Sequence, residues 1–318
     1  MNLVFLGTPD FAVPTLKALH ASRHTVQAVV TQPDRPKGRG RAAQPPPVKE
    51  FALAHGLDVL QPTKASAPDF VEQLRPMKPD LIVVIAYGQL LKPNFLELPK
   101  HFCMNIHASI LPKYRGAAPI NWAIINGETE TGVTTMKIDP GLDSGDMLLI
   151  RKVPIGPDDT AQDLHDALAD AGAKLALESI DQLEAGTLPI APQDHDEATF
   201  ARKLKKEDGF ICWTQSAQRL HDLVRGLNPW PGAYTFLNGH RLKLYKTETA
   251  PRQQKDEAGR VMRVTKHGIE VATSDDRLIL TELQPEGKKK MNAQDFLAGH
   301  DVQIGDRFES APQPIQSD

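Results

Sequence analysis

The sequence predicts an α/β protein: a doubly wound, mostly parallel sheet followed by a smaller C-terminal β-barrel of the OB type. Three observations lead there. Short apolar runs alternate with helix-like segments through the first half of the chain, the pattern of successive βαβ units. The most apolar run, Leu81 to Ala86 (LIVVIA), has no polar face, as a strand covered by helices on both sides requires. Beyond a Pro- and acid-rich stretch at Gly186 to Glu197, strand-like pieces punctuated by Gly, Asn and Asp take over. The expected boundaries are 1–188 for the first domain, 189–206 for a linker and 207–318 for the barrel.

In chain order, Asn2 to Leu6 is a first buried strand ending in the turn Gly7-Thr8-Pro9-Asp10. A helical stretch from about Phe11 to His20 follows, and the β-branched run Thr25 to Val30 predicts a second strand. Phe51 to Ala54 and Ala67 to Leu74 are expected to be helical, and Phe102 to His107 to be a strand. Pro119 opens a helix running to Ile125, since Pro suits the first turn. Thr160 to Leu183 is the clearest amphipathic helix, with Leu164, Leu168, Leu175 and Leu183 along one stripe and Thr160 with Asp163 as a capping box. In the last third, strands are expected at Ala233 to Leu237, Arg241 to Tyr245, Arg260 to Thr265, Gly268 to Thr273 and Arg277 to Leu283. One helix near Ser216 to Leu227 precedes them, and the tail from Glu309 is expected to fray.

Composition excludes several classes. Of 318 residues, 37 are Lys or Arg and 40 Asp or Glu, a net charge of −3 that commits the whole chain to neither nucleic acid nor membrane. Hydrophobics at 40% and charges at 24% rule out disorder and coiled coil. Cys103 and Cys212 are the only cysteines, so neither a disulfide framework nor a four-Cys zinc site can be built. The run at Leu81 to Ala86 falls far short of the ~20 apolar residues that span a bilayer. MNLVFLGTPDF lacks a basic flank and a long apolar stretch, so no secretory leader is expected. A cytoplasmic monomer without membrane association is the expected state.

Asn105 and His107 are the first candidates for chemistry. Residues i and i+2 of a strand share a face, and this strand must end before Pro112. Ligands of open α/β sheets bind beyond the carboxyl ends of strands. An amide donor beside an imidazole there is either an oxyanion-stabilising pair or a satisfied polar pair beside a turn. Asp139 to Asp146 (DPGLDSGD) adds two glycines and three carboxylates, enough to bring one Asp to the imidazole, where it would fix tautomer and direction. Three carboxylates also suit a cation, but no phosphate-binding motif accompanies them. The turn at Gly7 stands where a dinucleotide fingerprint would, yet the G-x-G-x-x-G spacing is missing and Pro9 and Asp10 oppose a pyrophosphate.

Taken in order, these blocks carry a resemblance. N-x-H-x-S-[LI]-L-P-x-x-R-G-A-A-P-I from Asn105, then T-G-V-T and G-L-D-S-G-D, closely resemble the formyltransferases that use 10-formyltetrahydrofolate. FLGTPDFAVP at Phe5 to Pro14, TQPDRPKGRG at Thr31 to Gly40, VIAYGQLL at Val84 to Leu91 and NPWPGA at Asn228 to Ala233 extend it nearly end to end. The ordered N-x-H and G-L-D-S-G-D blocks are specific; G-T-P and G-R-G alone are weak. The resemblance implies a Rossmann-like catalytic domain and Asn105, His107 and Asp143 as the catalytic trio. It implies that Ser109, Ile110, Leu111 and Pro112 contact the folate, with Tyr87, Gly88, Gln89 and Leu90 near its pterin. It implies 10-formyltetrahydrofolate as co-substrate and no metal. Within the family, the likeness is to members whose acceptor is the amino group of an initiator methionyl-tRNA.

The basic segments bear on that acceptor. Thr31 to Val48 is a long loop carrying Arg35, Lys37, Arg39 and Arg41 against Asp34 alone. It is either a finger that orders on the RNA acceptor end, with Arg39 as its foremost contact, or a solvated hairpin. Family members often carry further lysines after G-R-G, whereas Ala42 and Ala43 follow Arg41 here. Lys203, Lys205 and Lys206 at the domain junction and Lys288 to Lys290 in the barrel are solvated faces singly, or together a track for a phosphate backbone. Trp213, Trp230 and Tyr234 are candidates for base stacking, with Trp230 expected in the barrel core instead. The alternatives are an amino-sugar nucleotide N-formyltransferase, a 10-formyltetrahydrofolate hydrolase and a non-catalytic RNA-binding module.

Overall fold

The computed structural model describes residues 1–36, 43–252 and 256–317. Lys37, Arg39 and Arg41 of the basic loop lie outside the described residues. The chain divides into two compact units. Unit one comprises Met1–Gly116, Glu130–Pro154 and His165–Thr199; unit two comprises Ala117–Thr129, Ile155–Leu164 and Phe200–Asp318.

Unit one is a seven-stranded sheet. Its strands are β1 (Asn2–Gly7), β2 (Thr25–Val30), β3 (Val59–Leu60), β4 (Leu81–Ile85), β5 (Cys103–His107), β6 (Glu130–Lys137) and β7 (Met147–Pro154). They lie in the order β7-β6-β5-β4-β1-β2-β3, so the chain reverses direction across the sheet between β1 and β4. Strands β1 to β5 are parallel, four of them where expected and β3 an additional edge strand, while β6 and β7 add an antiparallel edge. All five residues of β4 are buried, and Leu3 to Leu6 of β1 likewise. Helices α1 (Val13–His20), α2 (Pro47–Ala54), α3 (Pro68–Leu74) and the single turn α4 (Pro93–Leu96) connect the parallel strands. Gly7 is required by packing: a Cβ there would meet the Ala12 Cβ at 2.8 Å. That contact accounts for the lone glycine without any dinucleotide.

Helix α5 (Pro119–Ile125) forms where expected, and α6 (Ala161–Ala185) begins at the capping box, with the Thr160 N–H and hydroxyl both on Asp163 Oδ2. Within unit one, α6 lies on β5 and β6: a Cβ at Gly172 would touch Ile106 and Val133, and the Ser179 and Thr135 hydroxyls meet at 2.8 Å. No described helix is long and apolar enough to cross a membrane.

In unit two, α7 (Ala217–Gly226) is N-capped by Ser216. The sheet comprises β8 (Ala233–Leu237), β9 (His240–Ala250), β10 (Val261–Val264), β11 (Ile269–Ala272), β12 (Arg277–Pro285) and β13 (Met291–Asn292), followed by α8 (Ala293–Gly299). Its order is β8-β9-β12-β11-β10, with β13 on β12. The two free edges are joined by the chain end, where Arg307 bridges Arg260 and Phe308 bridges Leu237. The sheet is therefore closed into a barrel. The tail does not fray at Glu309: its N–H donates to the Phe236 carbonyl, and that of Ala311 to Ile211. Phe308 is buried, and this apolar anchor is why the segment stays down.

Gly132 of β6 has the Arg151 carbonyl of β7 and the Ile110 side chain where a Cβ would stand. Gly132→Ala is expected to destabilise the protein by about 1–3 kcal/mol, the usual cost of overpacking. Urea unfolding should show a lower midpoint at unchanged slope; an unchanged midpoint would mean that the strands do not approach this closely.

Candidate active site

Strand β5 brings Asn105 and His107 to the carboxyl end of the sheet, beside β4 on one side and β6 on the other. Asn105 is half-buried, and its carboxamide makes no hydrogen bond to any described residue. His107 is buried and fixed: Nε2 lies 2.9 Å from the Tyr114 carbonyl, which can only accept, so Nε2 carries the hydrogen. The ring atom left for chemistry is Nδ1. It faces Asp143 Oδ2 at 3.7 Å, an ion-pair separation longer than a hydrogen bond.

Asp143 is held by its own loop and by Gly116. The Gly116 N–H donates to Oδ2 at 2.8 Å, while Asp143 adopts φ +49, the left-handed region. Asp139 does not reach the imidazole; its carboxylate takes the Ser144 hydroxyl and the Gly141 N–H and so tightens the turn. Asp146 pairs with Lys137. One of the three carboxylates faces His107, and the other two build its loop. Among the described residues, no three His, Cys, Asp or Glu converge as a metal-holding group.

The two segments named for the folate have most of their side chains committed internally. Thr134 Oγ1 donates to the Ser109 carbonyl and accepts from the Leu111 N–H, and Ser109 Oγ donates to the Lys113 carbonyl. Ile110 and Pro112 remain half-buried at the surface of this turn. Tyr87 packs in the core with Val84, Leu91 and Phe95; burial pushes its hydroxyl up to about 12, and that oxygen has no partner. Gln89 accepts from the Ala65 N–H and donates to the Thr63 carbonyl. Gly88 and Leu90 are exposed, Leu90 at 78%. What the segment offers a ligand is therefore its backbone and the Leu90 side chain.

The base of the basic loop is tied to the same sheet end. Lys49 Nζ reaches both Asp34 oxygens and Gln61 Oε1, and Gln61 Nε2 donates to Asp34 and to the Gln32 carbonyl. The Gln61 amide and then the Lys49 ammonium hold the Asp34 carboxyl below its ordinary range. Arg35–Pro36 pairs with Ala43–Gln44 as a short antiparallel ribbon, with Arg35 exposed.

In unit two, Lys203, Lys205 and Lys206 are exposed, as are Lys288, Lys289 and Lys290, although Lys290 pairs with Glu282. Two aromatic expectations are overturned. Trp213 is fully buried, with its indole N–H on Thr235 Oγ1, and cannot stack a base. Trp230 is 51% exposed rather than core, because the turn ahead of Gly232 carries it outward. The Tyr234 ring is already stacked on Phe210 and capped by the Arg241 guanidinium at 3.9 Å.

Sequence reasoning did not single out Tyr114, Arg115, Gly116 or Gln193, which build the site from behind. The first three lie within the R-G-A-A-P block or beside it, whereas Gln193 carries no signal in its acidic, Pro-rich stretch.

The doubly wound unit and the antiparallel barrel match, in turn, the two domain families of the formyl transferases. The Formyl transferase family matches residues 1–180 and the Formyl transferase C-terminal domain family residues 203–301. A methionyl-tRNA formyltransferase from Geobacter metallireducens is 55% identical over 308 residues, covering 97% of this chain and 98% of its own. One from Acetivibrio thermocellus is 46% identical, covering 96% and 99%. Among solved structures, the sugar 3N-formyl transferase WlaRD, in the presence of dTDP and 5-N-formyl-THF, superposes with a TM-score of 0.66 at 18% identity, covering 91% of this chain and 99% of its own. The chain belongs to the methionyl-tRNA formyltransferase family.

Near the lysine cluster, Asp208 is buried and receives both ends of the Arg202 guanidinium fork and the Lys205 N–H. Burial works against its charge, but these donors outweigh it, and the carboxyl is held below its ordinary value of 3.8. A carboxyl depressed in the folded state stabilises above its unfolded pKa, and that stabilisation is lost as pH falls through the folded value. Asp208→Asn should therefore cost about 2 kcal/mol at neutral pH, the scale of a charged hydrogen bond. The gap to the parent should close below pH 3.8 in denaturant titrations; a pH-independent gap would contradict this account.

Proposed function

We propose that this chain transfers the formyl group of 10-formyltetrahydrofolate to the α-amino group of methionyl initiator tRNA. The observation that carries the proposal is the corner formed by a free Asn105 carboxamide, a pinned His107 and a held Asp143. The full-length kinship to methionyl-tRNA formyltransferases supports the choice of acceptor. The donor set suits a formyl carbon: an uncommitted amide donor and an imidazole nitrogen share one edge, with a carboxylate behind.

In this reading the neutral amine attacks the formyl carbon, forming a C–N bond and placing negative charge on the formyl oxygen. Asn105 donates to that oxygen, and His107 adds a second donor from Nδ1 when both ring nitrogens are protonated. The bond to the folate N10 then breaks; the amine gives up a proton and N10 gains one. Asp143 is the carboxylate placed to take part in that transfer. The 109–112 turn and the 87–90 segment would seat the folate, and Arg35, Lys37, Arg39 and Arg41, with Lys203, Lys205 and Lys206, the tRNA backbone.

The test is formyl transfer to purified methionyl initiator tRNA, with uncharged tRNA, an amino-sugar nucleotide and water as rival acceptors. Product with the charged tRNA alone is expected; tetrahydrofolate release with the sugar or with water would overturn the acceptor. Asn105→Ala should lower kcat by about 10²–10³, the usual cost of one oxyanion donor. Retention of full kcat would remove Asn105 from the mechanism.

Arg39→Ala should weaken charged-tRNA use at least tenfold and leave folate binding within about twofold. Affinity for tRNA should fall steeply with salt, each phosphate contact adding roughly −0.7 to −0.9 to the logarithmic slope. A flat salt response would contradict the basic contact surface.

A further inference from the structure

Behind Asp143 a second polar group is built to a higher standard than a surface turn needs. Gln193 is only 5% exposed, although it lies among residues that face solvent. Its Nε2 donates to the Asp143 carbonyl and to the Gly145 carbonyl, each at 2.8 Å. Its Oε1 accepts from Arg115 Nε at 3.0 Å and Nη2 at 2.6 Å. Both hydrogens and both lone pairs of the amide are used, so its complement is complete. The orientation is also forced: a reversed amide would set hydrogens against a guanidinium that only donates, and an oxygen against two carbonyls.

Arg115 is equally committed. It is 5% exposed, and Nη2 also reaches His195 Nδ1 at 3.2 Å. Among the described residues no Asp or Glu oxygen ion-pairs with it, so the Gln193 oxygen takes the charge-assisted bonds. A cation on the amide oxygen polarises the group and strengthens what its N–H bonds give to the 143–145 backbone. The chain Arg115, Gln193, Asp143 thus ends on the residue whose carboxylate faces His107 Nδ1.

We infer that Gln193 is a positioning residue for formyl transfer, acting through the main chain of Asp143, with Arg115 as the group that orients it. The inference rests on the proposed trio, because it assigns Gln193 a role only through Asp143. The Gly116 N–H fixes one carboxylate oxygen, and Gln193 fixes the backbone that carries it. Two independent anchors are what a catalytic carboxylate on a glycine-bearing loop needs to stay within about 0.5 Å of its working place.

Gln193→Glu separates the two halves of the clamp. The glutamate still accepts from Arg115 but has no hydrogen for the two carbonyls and repels them. Formyl transfer to methionyl-tRNA should lose about 10- to 100-fold in kcat, with KM for tRNA and for the folate within about twofold. In an Asp143→Asn background the same change should cost less than twofold more, since the group it acts through is already gone. A readout independent of turnover is the nitrogen spectrum of histidine-labelled protein, with His107 assigned by its loss in His107→Ala. Its ring signals should shift in Gln193→Glu while those of His221 stay in place. Full additivity with Asp143→Asn, or an unmoved His107 signal in a folded variant, would overturn the inference. Moved His107 signals in a protein whose parent formylates nothing would instead overturn the reaction and leave the positioning in place.

Discussion

The hydrogen bond from His107 Nε2 to the Tyr114 carbonyl is the contact on which the site turns. It decides which nitrogen faces Asp143, and it depends on a carbonyl that an ordinary turn would not present. Tyr114 adopts φ +59, and Asp143, on the other side of the same ring, adopts φ +49. A non-glycine residue in a sparsely populated region costs on the order of 1–3 kcal/mol and persists only where its surroundings overdetermine it. Here they do. The Tyr114 N–H donates to Thr199 Oγ1, the Arg115 N–H to the Thr199 carbonyl, and the Gly116 N–H to Asp143 itself. Both residues that face the imidazole are held in conformations they would leave if those bonds were cut.

The central parallel strands β1 and β4 were legible because they are buried on both faces, which leaves unbroken apolar runs; the two-residue, half-buried edge strand Val59–Leu60 left no such run and was not expected. The antiparallel edge was not. Glu130–Lys137 buries Thr131, Thr134 and Thr135, and a run of threonines reads as solvent-facing until their partners are known. Thr134 bridges the Ser109 carbonyl and the Leu111 N–H, and Thr135 meets Ser179, so these hydroxyls are satisfied by segments distant in sequence. The barrel was expected, but the part its chain end plays was not, for a related reason: ESAPQPIQSD has the composition of a loose end, yet Phe308 just before it and Ala311 within it are buried. At the site, the i, i+2 spacing sufficed to place Asn105 and His107 together at the end of a strand. Asp143 could be reached only through its motif, because any of three carboxylates would have served. Gln193 could not be found at all, since its role comes from burial and geometry that no local pattern encodes.

Charge shows a similar difference between counting and placement. In the sequence, Asp34 offsets part of the positive charge of the 31–48 loop. In the fold it is engaged by Lys49 and Gln61, at the sheet end of that loop. Lys49 follows the counted segment, so among the described residues the carboxylate is bound to the anchor of the loop. The pair is half-buried. Its consequence is geometric, because it fixes where the chain leaves the sheet.

The three central groups therefore differ in how much freedom binding must remove. His107 has one nitrogen committed, and Asp143 has one oxygen and its main chain committed. Asn105 alone keeps its amide uncommitted. Ordering one side chain costs less than ordering three, so for the proposed reaction two of the three groups are oriented before a substrate arrives. With Nε2 pinned, proton movement at the imidazole is confined to the Nδ1 side, where Asp143 stands at 3.7 Å. That spacing is too long for a hydrogen bond between the two. In the proposed reaction an incoming oxygen would meet one donor still free to turn, Asn105, beside an imidazole and a carboxylate whose places the bonds to Tyr114, Gly116 and Gln193 already hold.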